Sequence, residues 1–213
     1  EQPPQLDAQS VVYCYLSDSA LAKVLDLAIQ QQWLVAILPH PQASHARRGF
    51  SLLGGIEAAI QDYQQAKALT VDILRCNQHL VLNHLVVGHS FNLRPGGHNA
   101  PWRERLKQTW LNIGKIGQIK PLKLSLQTAG ECSFSTAVVG LVVIEHAHGS
   151  MLSKRILPDT HCNDGMLESM LIAPRSIMEM CRFLFLAMFG RVVRKPPFLG
   201  LIKSKSLSLE AER

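Results

Sequence analysis

The sequence predicts a mixed fold in which a partial α/β part is followed by a β-rich part. Two short apolar runs, Val11–Tyr15 and Leu34–Leu38, flank a segment whose apolar residues recur at helical spacing. After residue 67 the apolar segments are mostly short and are separated by turn residues, which is typical of strands. The 213 residues are 47% hydrophobic and 18% charged, enough for one large core or two small ones and too apolar for long disorder.

In the first part, the helix is expected to begin beside Ser17, because Ser is a preferred N-cap residue. Pro39 and Pro41 end the second strand. Two strands joined by a helix favour a parallel pair with a right-handed crossover. A further helix is predicted over about 50–65, and the change of character places a domain boundary between residues 66 and 67. The predicted domains are therefore 1–66 and 67–213.

The second part begins with two strands joined at Cys76-Asn77-Gln78, a sequence suited to a hairpin turn. A helix is predicted over about 102–113, and another begins after Pro174 with Ser176 as its cap. The remaining apolar segments predict strands at about 121–128, 132–145, 166–172 and 199–210.

The net charge of +6 and the pI near 9.2 fit a polyanionic ligand such as a nucleotide phosphate, an acidic membrane surface or nucleic acid. Aromatic residues make up only 6%, and no stacking platform for bases is evident, so a nucleic-acid partner is disfavoured. Five scattered cysteines without a CxxC pair indicate reduced thiols. With no apolar run long enough to span a bilayer and no signal-peptide pattern, we expect a cytoplasmic protein.

The loop at 161–166 allows two interpretations. Asp164 before Gly165 is ordinary turn chemistry, since both residues tolerate the left-handed region. One carboxylate with backbone carbonyls also suits a hard cation such as Mg²⁺ or Ca²⁺, and Asp159 could assist. A zinc site from His146, His148 and Cys162 lacks the ligand spacing of known zinc motifs.

Asp18 also has two interpretations. It follows a buried strand and opens a helix, which is where ligands bind in α/β sheets. Its position alone favours a plain N-cap role. No glycine accompanies it, and the sequence has no Walker A pattern, GxSxG or HExxH motif.

A basic group, Arg191, Arg194 and Lys195, follows the apolar helix at 176–189. An apolar helix beside cations could rest on an acidic membrane surface. The alternative is a core helix whose last turn carries cations that match its dipole. The sequence leaves both interpretations open.

Three strings taken together resemble the diacylglycerol-kinase-like lipid kinases, which include the sphingosine kinases. They are "LTVDILRCNQHLVLNHLVVG", "LPDTHCNDGMLESMLI" and "SIMEMCRFLFLAMFGRVVRKPP". Order and distances agree from about residue 10 to the end of the chain. The matched motif positions are Asp72, Ile73, Asn77, Leu82, Asn83 and Gly88 in the hairpin, and Pro158, Asp164, Gly165 and Leu167 in the later motif.

The resemblance implies a partial Rossmann-like nucleotide domain followed by a β-sandwich-like domain. It implies ATP-dependent phosphorylation of a lipid hydroxyl, with the lipid taken at a membrane surface and the protein peripheral to that membrane. It also implies a structural Mg²⁺ held by the Asp164 side chain and by the backbone oxygens of His161 and Met166. The family's general base would lie beyond Arg213, and further strands would precede Glu1. Whether the chain forms a homodimer is left open.

The nucleotide motifs of the family are altered in this chain. Its glycine-rich Gly-Gly-Asp-Gly-Thr loop corresponds to Leu16, Ser17, Asp18, Ser19 and Ala20, where only the Asp is kept and stands as the candidate catalytic acid. The next motif corresponds to 39–45, where Gln42 is a candidate cofactor-binding residue and only the first Pro is retained. Loss of the glycines removes the close backbone approach to phosphate. The alternative function is therefore an inactive lipid-kinase homologue that binds a lipid or a protein.

Overall fold

The chain forms two compact units: the first extends to His84, and the second begins at Leu85 and continues after Gly165. The computed structural model describes residues 10–50, 52, 54–88, 103, 107, 110–111, 120–129, 132–144, 163–188 and 198–211. These residues form four helices with defined bounds and eleven strands, and residues 103, 107, 110 and 111 are helical as predicted.

The first unit opens with strand β1 (Val11–Cys14), helix α1 (Asp18–Gln31) and strand β2 (Leu34–Ile37). The strands pair in parallel, which confirms the strand–helix–strand prediction. Helix α1 buries one face at i, i+4 and i+7 through Leu21, Leu25 and Ala28. It ends at Gln32, whose left-handed φ of 56° turns the chain toward β2.

Two helices follow, α2 (Ser44–Gly49) and α3 (Ile56–Gln65). The single helix predicted over about 50–65 is therefore wrong at its beginning. Gly54 takes a positive φ of 94° and Gly55 is extended, so no helix continues through this pair. Helical spacing of apolar residues resumes only after Gly55, and Ala59 is the buried residue of α3.

A hairpin of strands β3 (Leu74–Cys76) and β4 (His79–Val81) comes next, and its turn contains Asn77 with a φ of 53°. This confirms the predicted turn. Leu80 and Leu82 pack against the core cluster of the first unit. The hairpin therefore groups with that unit, whereas the composition-based boundary at residues 66 and 67 assigned it to the second domain.

The second unit is built mainly from antiparallel strands. Two sheets are described, in the orders β10-β9-β8-β5 and β11-β6-β7. The strand bounds are β5 (His84–Gly88), β6 (Leu122–Thr128), β7 (Ser133–Val138), β8 (Gly140–Ile144), β9 (Leu167–Ile172), β10 (Leu199–Ser204) and β11 (Leu207–Ala211).

Two segments predicted as single strands each divide between these sheets. The chain leaves β7 at Val139 and enters the other sheet as β8, and it changes sheets again between β10 and β11 at Lys205 and Ser206. The apolar pattern continues across Val139, so residue type alone gives no sign of the change.

Helix α4 (Ile177–Met188) begins where the Ser cap predicted it. The Ser176 hydroxyl accepts a hydrogen bond from the Glu179 backbone N–H at 3.2 Å. The Glu179 carboxylate in turn accepts the Arg175 N–H at 2.9 Å. The first of these bonds satisfies an N–H group in the first turn of the helix, and the second ties down the residue before the cap.

A buried carboxylate lies in the four-stranded sheet. Glu168 on β9 is 6% exposed, and Lys203 on β10 reaches it with its Nζ at 3.6 Å. The two residues are also register partners in the sheet. A carboxylate taken out of water depends on its cationic partner more than an exposed one does.

We therefore expect Lys203→Ala to lower the free energy of unfolding by about 1–2 kcal/mol, less than for a fully buried pair because the Lys203 side chain is itself exposed. Denaturant titration measures the difference. Lys205→Ala, which removes an exposed lysine two residues along, is the matched control and should change stability by less than about 0.5 kcal/mol. Equal effects of the two variants would show that the pair contributes nothing specific.

Candidate functional site

Asp18 is the candidate catalytic acid predicted from the sequence, and its carboxylate contacts helix α2. Oδ2 accepts the backbone N–H of His45 at 3.0 Å, and Oδ1 accepts that of Ala46 at 2.8 Å. These N–H groups belong to the first turn of α2, where no intrahelical acceptor exists. The candidate catalytic acid thus joins the start of α1 to the start of α2, and both carboxylate oxygens serve this contact.

The residues around Asp18 occupy the loop with side chains instead of glycines. Leu16 is half-buried and packs against the core cluster that contains Cys14 and Leu21. The Ser17 residue is the N-cap of α1 by position, although its hydroxyl makes no capping hydrogen bond. That hydroxyl lies 3.4 Å from the hydroxyl of Ser19. Ala20 is half-buried, so no candidate position in this loop offers the bare backbone that a phosphate cradle needs.

The following loop carries Gln42, the other candidate cofactor-binding residue. Its side chain is exposed, and its backbone N–H donates to Nδ1 of His40 at 3.1 Å. The His40 ring meets the Tyr15 ring edge-on with 4.6 Å between centroids. Asp18 and Gln42 lie at the same end of the parallel β1–β2 pair, since both follow the carboxyl end of a strand.

A group of basic side chains that the sequence analysis did not single out lies on the same unit. Burial lowers the pKa of His84, and the positive charges of His45 and Arg48 lower it further. We call His45, Arg48 and His84 the basic cluster. The signal available in the sequence was the i, i+3 spacing of His45 and Arg48, but nothing in it placed His84 beside them.

The predicted magnesium loop is described only in part. Gly165 has a φ of 63°, the left-handed conformation that the turn interpretation expects, and Asp164 and Met166 are half-buried. His161 lies outside the described residues, as do Asp159 and the zinc candidates His146, His148 and Cys162. Among the described residues, no three His, Cys, Asp or Glu side chains cluster as metal ligands. An ion held by one carboxylate and two carbonyls would not form such a cluster.

The basic residues Arg191, Arg194 and Lys195 also lie outside the described residues. At the start of α4, Ile177 and Met178 are exposed. In the described part of the chain, every helix is too short or too polar to cross a bilayer.

Among the comparisons with known proteins, only the comparison with solved structures finds matches. No protein-family model matches the sequence, and no curated protein matches it significantly. Solved structures from Bacillus anthracis str. Sterne that carry the assignment diacylglycerol kinase do match, at 18%, 15% and 16% identity with TM-scores of 0.64, 0.64 and 0.65. Each alignment covers 95% of this chain and 67–68% of the other.

These matches extend over both units, although so few residues are identical. They agree with the resemblance inferred from the hairpin and the 164–165 motif. The mixed α/β and β-rich organisation predicted from the sequence is also present in the structure. The chain therefore has the fold of the diacylglycerol-kinase type of lipid kinase.

Proposed function

We propose that this chain is a lipid-binding protein with the lipid-kinase fold that does not transfer phosphate from ATP. The observation that carries the proposal is the engagement of Asp18. Both of its carboxylate oxygens accept backbone N–H groups of α2, at 3.0 and 2.8 Å. In this arrangement the side chain stabilises the start of a helix, and each of its oxygens already accepts one hydrogen bond, which leaves fewer acceptor sites for a metal.

The environment of Asp18 supports the same conclusion. Phosphate cradles use consecutive backbone N–H groups that a ligand can approach closely, which is why they are rich in glycine. Here Leu16 contributes to the core and Pro41 has no N–H to donate. The alternative, an ATP-dependent lipid kinase, would require Asp18 and Gln42 to hold nucleotide and metal without such a cradle.

Lipid as the ligand class follows from the fold and the charge. The similar structures carry the assignment diacylglycerol kinase, and the substrate of such an enzyme is a lipid. A net charge of +6 attracts the chain to acidic bilayers. A structural Mg²⁺ at Asp164, with His161 and Met166 as carbonyl ligands, is part of the proposal, and its role would be to hold the loop rather than to act in catalysis.

Titration with Mg-ATP followed by calorimetry tests the loss of nucleotide binding. We expect no saturable heat in the low-micromolar range, because the glycines that admit phosphate are replaced. Co-sedimentation with vesicles provides the second measurement, and we expect binding to acidic vesicles that weakens as salt is raised. Low-micromolar Mg-ATP affinity would overturn the loss of nucleotide binding, and transfer of phosphate to diacylglycerol in mixed vesicles would establish the kinase.

A further inference from the structure

One helical segment of the second unit exposes a face that combines cations with large apolar side chains. Arg103, Lys107, Trp110 and Leu111 are all helical. Steps of four, seven and eight residues return to the same side of a helix. All four side chains are exposed, so this side of the helix faces solvent. We call these four residues the Trp110 face.

The apolar part of the Trp110 face is large for a surface that faces water. Trp110 is 66% exposed and Leu111 is 50% exposed, whereas Trp33 of the first unit is half-buried. An indole ring has more apolar area to remove from water than most side chains, and here an exposed leucine lies next to it. The pair therefore gains free energy from a partner that offers apolar contact.

The cations of the Trp110 face indicate which partner. Lys107 lies one turn before Trp110, and Arg103 lies one turn before Lys107. Between residues 102 and 113 the sequence has three basic residues and one acidic residue, Glu104. At a membrane surface, Lys and Arg keep their charges among the headgroups while Trp rests at the interface. An acidic bilayer thus matches the charged and the apolar residues of the face together.

Another exposed apolar pair in the same unit has a different charge environment. Ile177 and Met178, at the start of α4, are 58% and 82% exposed. Beside them the charges of Arg175 and Glu179 offset each other, and the Glu179 carboxylate accepts the Arg175 backbone N–H. This pair has apolar exposure without the excess of positive charge, so it is a suitable comparison for the Trp110 face.

We propose that the Trp110 face is the surface through which this chain contacts an acidic bilayer. Trp110 and Leu111 lie at the boundary between headgroups and acyl chains, and Lys107 and Arg103 contact lipid phosphates. The inference deepens the proposed lipid-binding function and rests on it, since a lipid ligand reaches the protein from a membrane. It assigns the contact to the Trp110 face and not to the basic group that follows α4.

The first experiment measures co-sedimentation of the full chain with phosphatidylcholine vesicles that contain phosphatidylserine. Trp110→Ser should weaken binding on the order of ten-fold, because serine does not replace the apolar area of the indole. Lys107→Ala should weaken it about five-fold at low salt, the contribution of one cation near an acidic surface. Salt screens charge and not apolar contact, so raising it should abolish the effect of Lys107→Ala and leave that of Trp110→Ser.

Two exposed side chains of the same unit provide matched controls. Met178 is more exposed than Trp110, and Lys123 is an exposed lysine on β6. Met178→Ser and Lys123→Ala should each weaken binding less than about two-fold, because attraction to the surface falls off within a Debye length. Equal losses from Met178→Ser and Trp110→Ser would overturn the inference. Loss of binding in Arg194→Ala with none in Trp110→Ser would overturn it as well.

Fluorescence of Trp110 reports whether the ring enters the bilayer. The difference between the emission of the parent and that of Trp110→Phe isolates its signal from those of Trp33 and Trp102. Acidic vesicles should shift this signal to shorter wavelength, and lipid brominated on its acyl chains should quench it, since we expect a depth of about 5–10 Å. Trp110→Phe should keep most of the binding, because a phenyl ring preserves apolar contact. Sedimentation without shift or quenching would mean that charge alone holds the chain and would refute insertion.

A water-soluble short-chain diacylglycerol separates this inference from the proposed function. If the chain binds this lipid and does not bind vesicles, the lipid-binding function stands and the Trp110 face is rejected as a membrane surface. If vesicle binding depends on Trp110 and the short-chain lipid does not bind, the face stands and the lipid-binding function is rejected. Absence of both kinds of binding rejects both.

Discussion

Gly49→Ala should be among the most destabilising single-methyl additions in this chain, lowering the free energy of unfolding by about 2–4 kcal/mol. A Cβ built on Gly49 lies 1.9 Å from the Leu82 oxygen and 3.0 Å from its carbonyl carbon. Both are backbone atoms of the segment between β4 and β5, so no side-chain rotation relieves the overlap. Either α2 or this segment must move.

Helix propensity acts in the opposite direction and makes the test stringent. Alanine is favoured over glycine within a helix by about 1 kcal/mol, so a site without the close approach would be stabilised by this substitution. Gly55→Ala is the control, because a Cβ there meets nothing within 4 Å and its φ of −92° is ordinary. We expect it to cost less than about 1 kcal/mol, the loss of a moderate N-cap residue.

Denaturant titration of both variants gives the comparison. Gly49→Ala should also broaden or shift the backbone resonances of 82–84, since α2 rests on that segment. A Gly49→Ala protein as stable as the parent would mean that α2 does not pack on the Leu82 backbone.

Asp18→Ala should lower the free energy of unfolding by about 2 kcal/mol, because the first turn of α2 loses both acceptors for its N–H groups. Asp18→Asn should cost roughly half as much, since an amide offers one oxygen in place of two. The result separates a structural role from a purely catalytic one, which would leave stability unchanged.

Asp26→Ala provides the matched control within the same helix. Asp26 also loses a defined partner, Arg75 at 2.6 Å, but both side chains are exposed to solvent. Exposed ion pairs contribute about 0–1 kcal/mol, so this variant should be clearly milder. Thermal or denaturant unfolding in one buffer compares the free energies of unfolding of the three variants. Equal losses for Asp18→Ala and Asp26→Ala would contradict the capping role of Asp18.

Much of the local structure was predictable because its causes are local. The helix start at Ser176, the parallel β1–β2 pair and the turn at Asn77 follow from capping preference, apolar spacing and turn chemistry within a few residues. Two errors arose where the pattern continues across a change of direction, since the sheet changes at Val139 and Lys205 leave the apolar spacing almost intact. The third is the helix break at Gly54, where helical spacing resumes only after Gly55.

The candidate site likewise has features that the sequence showed and contacts that it did not show. Its strand-end position and Asp18 were visible in the sequence, because ligands in α/β sheets gather where strands end and helices begin. The contacts of Asp18 were not visible, since its acceptors bond a segment 27 and 28 positions further along the chain. Leu16 illustrates the point as well: the sequence aligns it with a glycine-rich loop, whereas in the structure it packs against the core cluster of the first unit.

Motif order and apolar spacing were enough to predict the fold, which solved structures share with this chain at 15–18% identity. The sequence by itself also determined that the glycine loop is absent. The contacts of Asp18 with α2 became apparent only in the folded chain. The difference arises from how far apart in sequence the interacting residues lie. Capping and periodicity act over one or two turns of chain, whereas hydrogen bonds and charges act over a few ångströms between segments whose separation in sequence carries no signal.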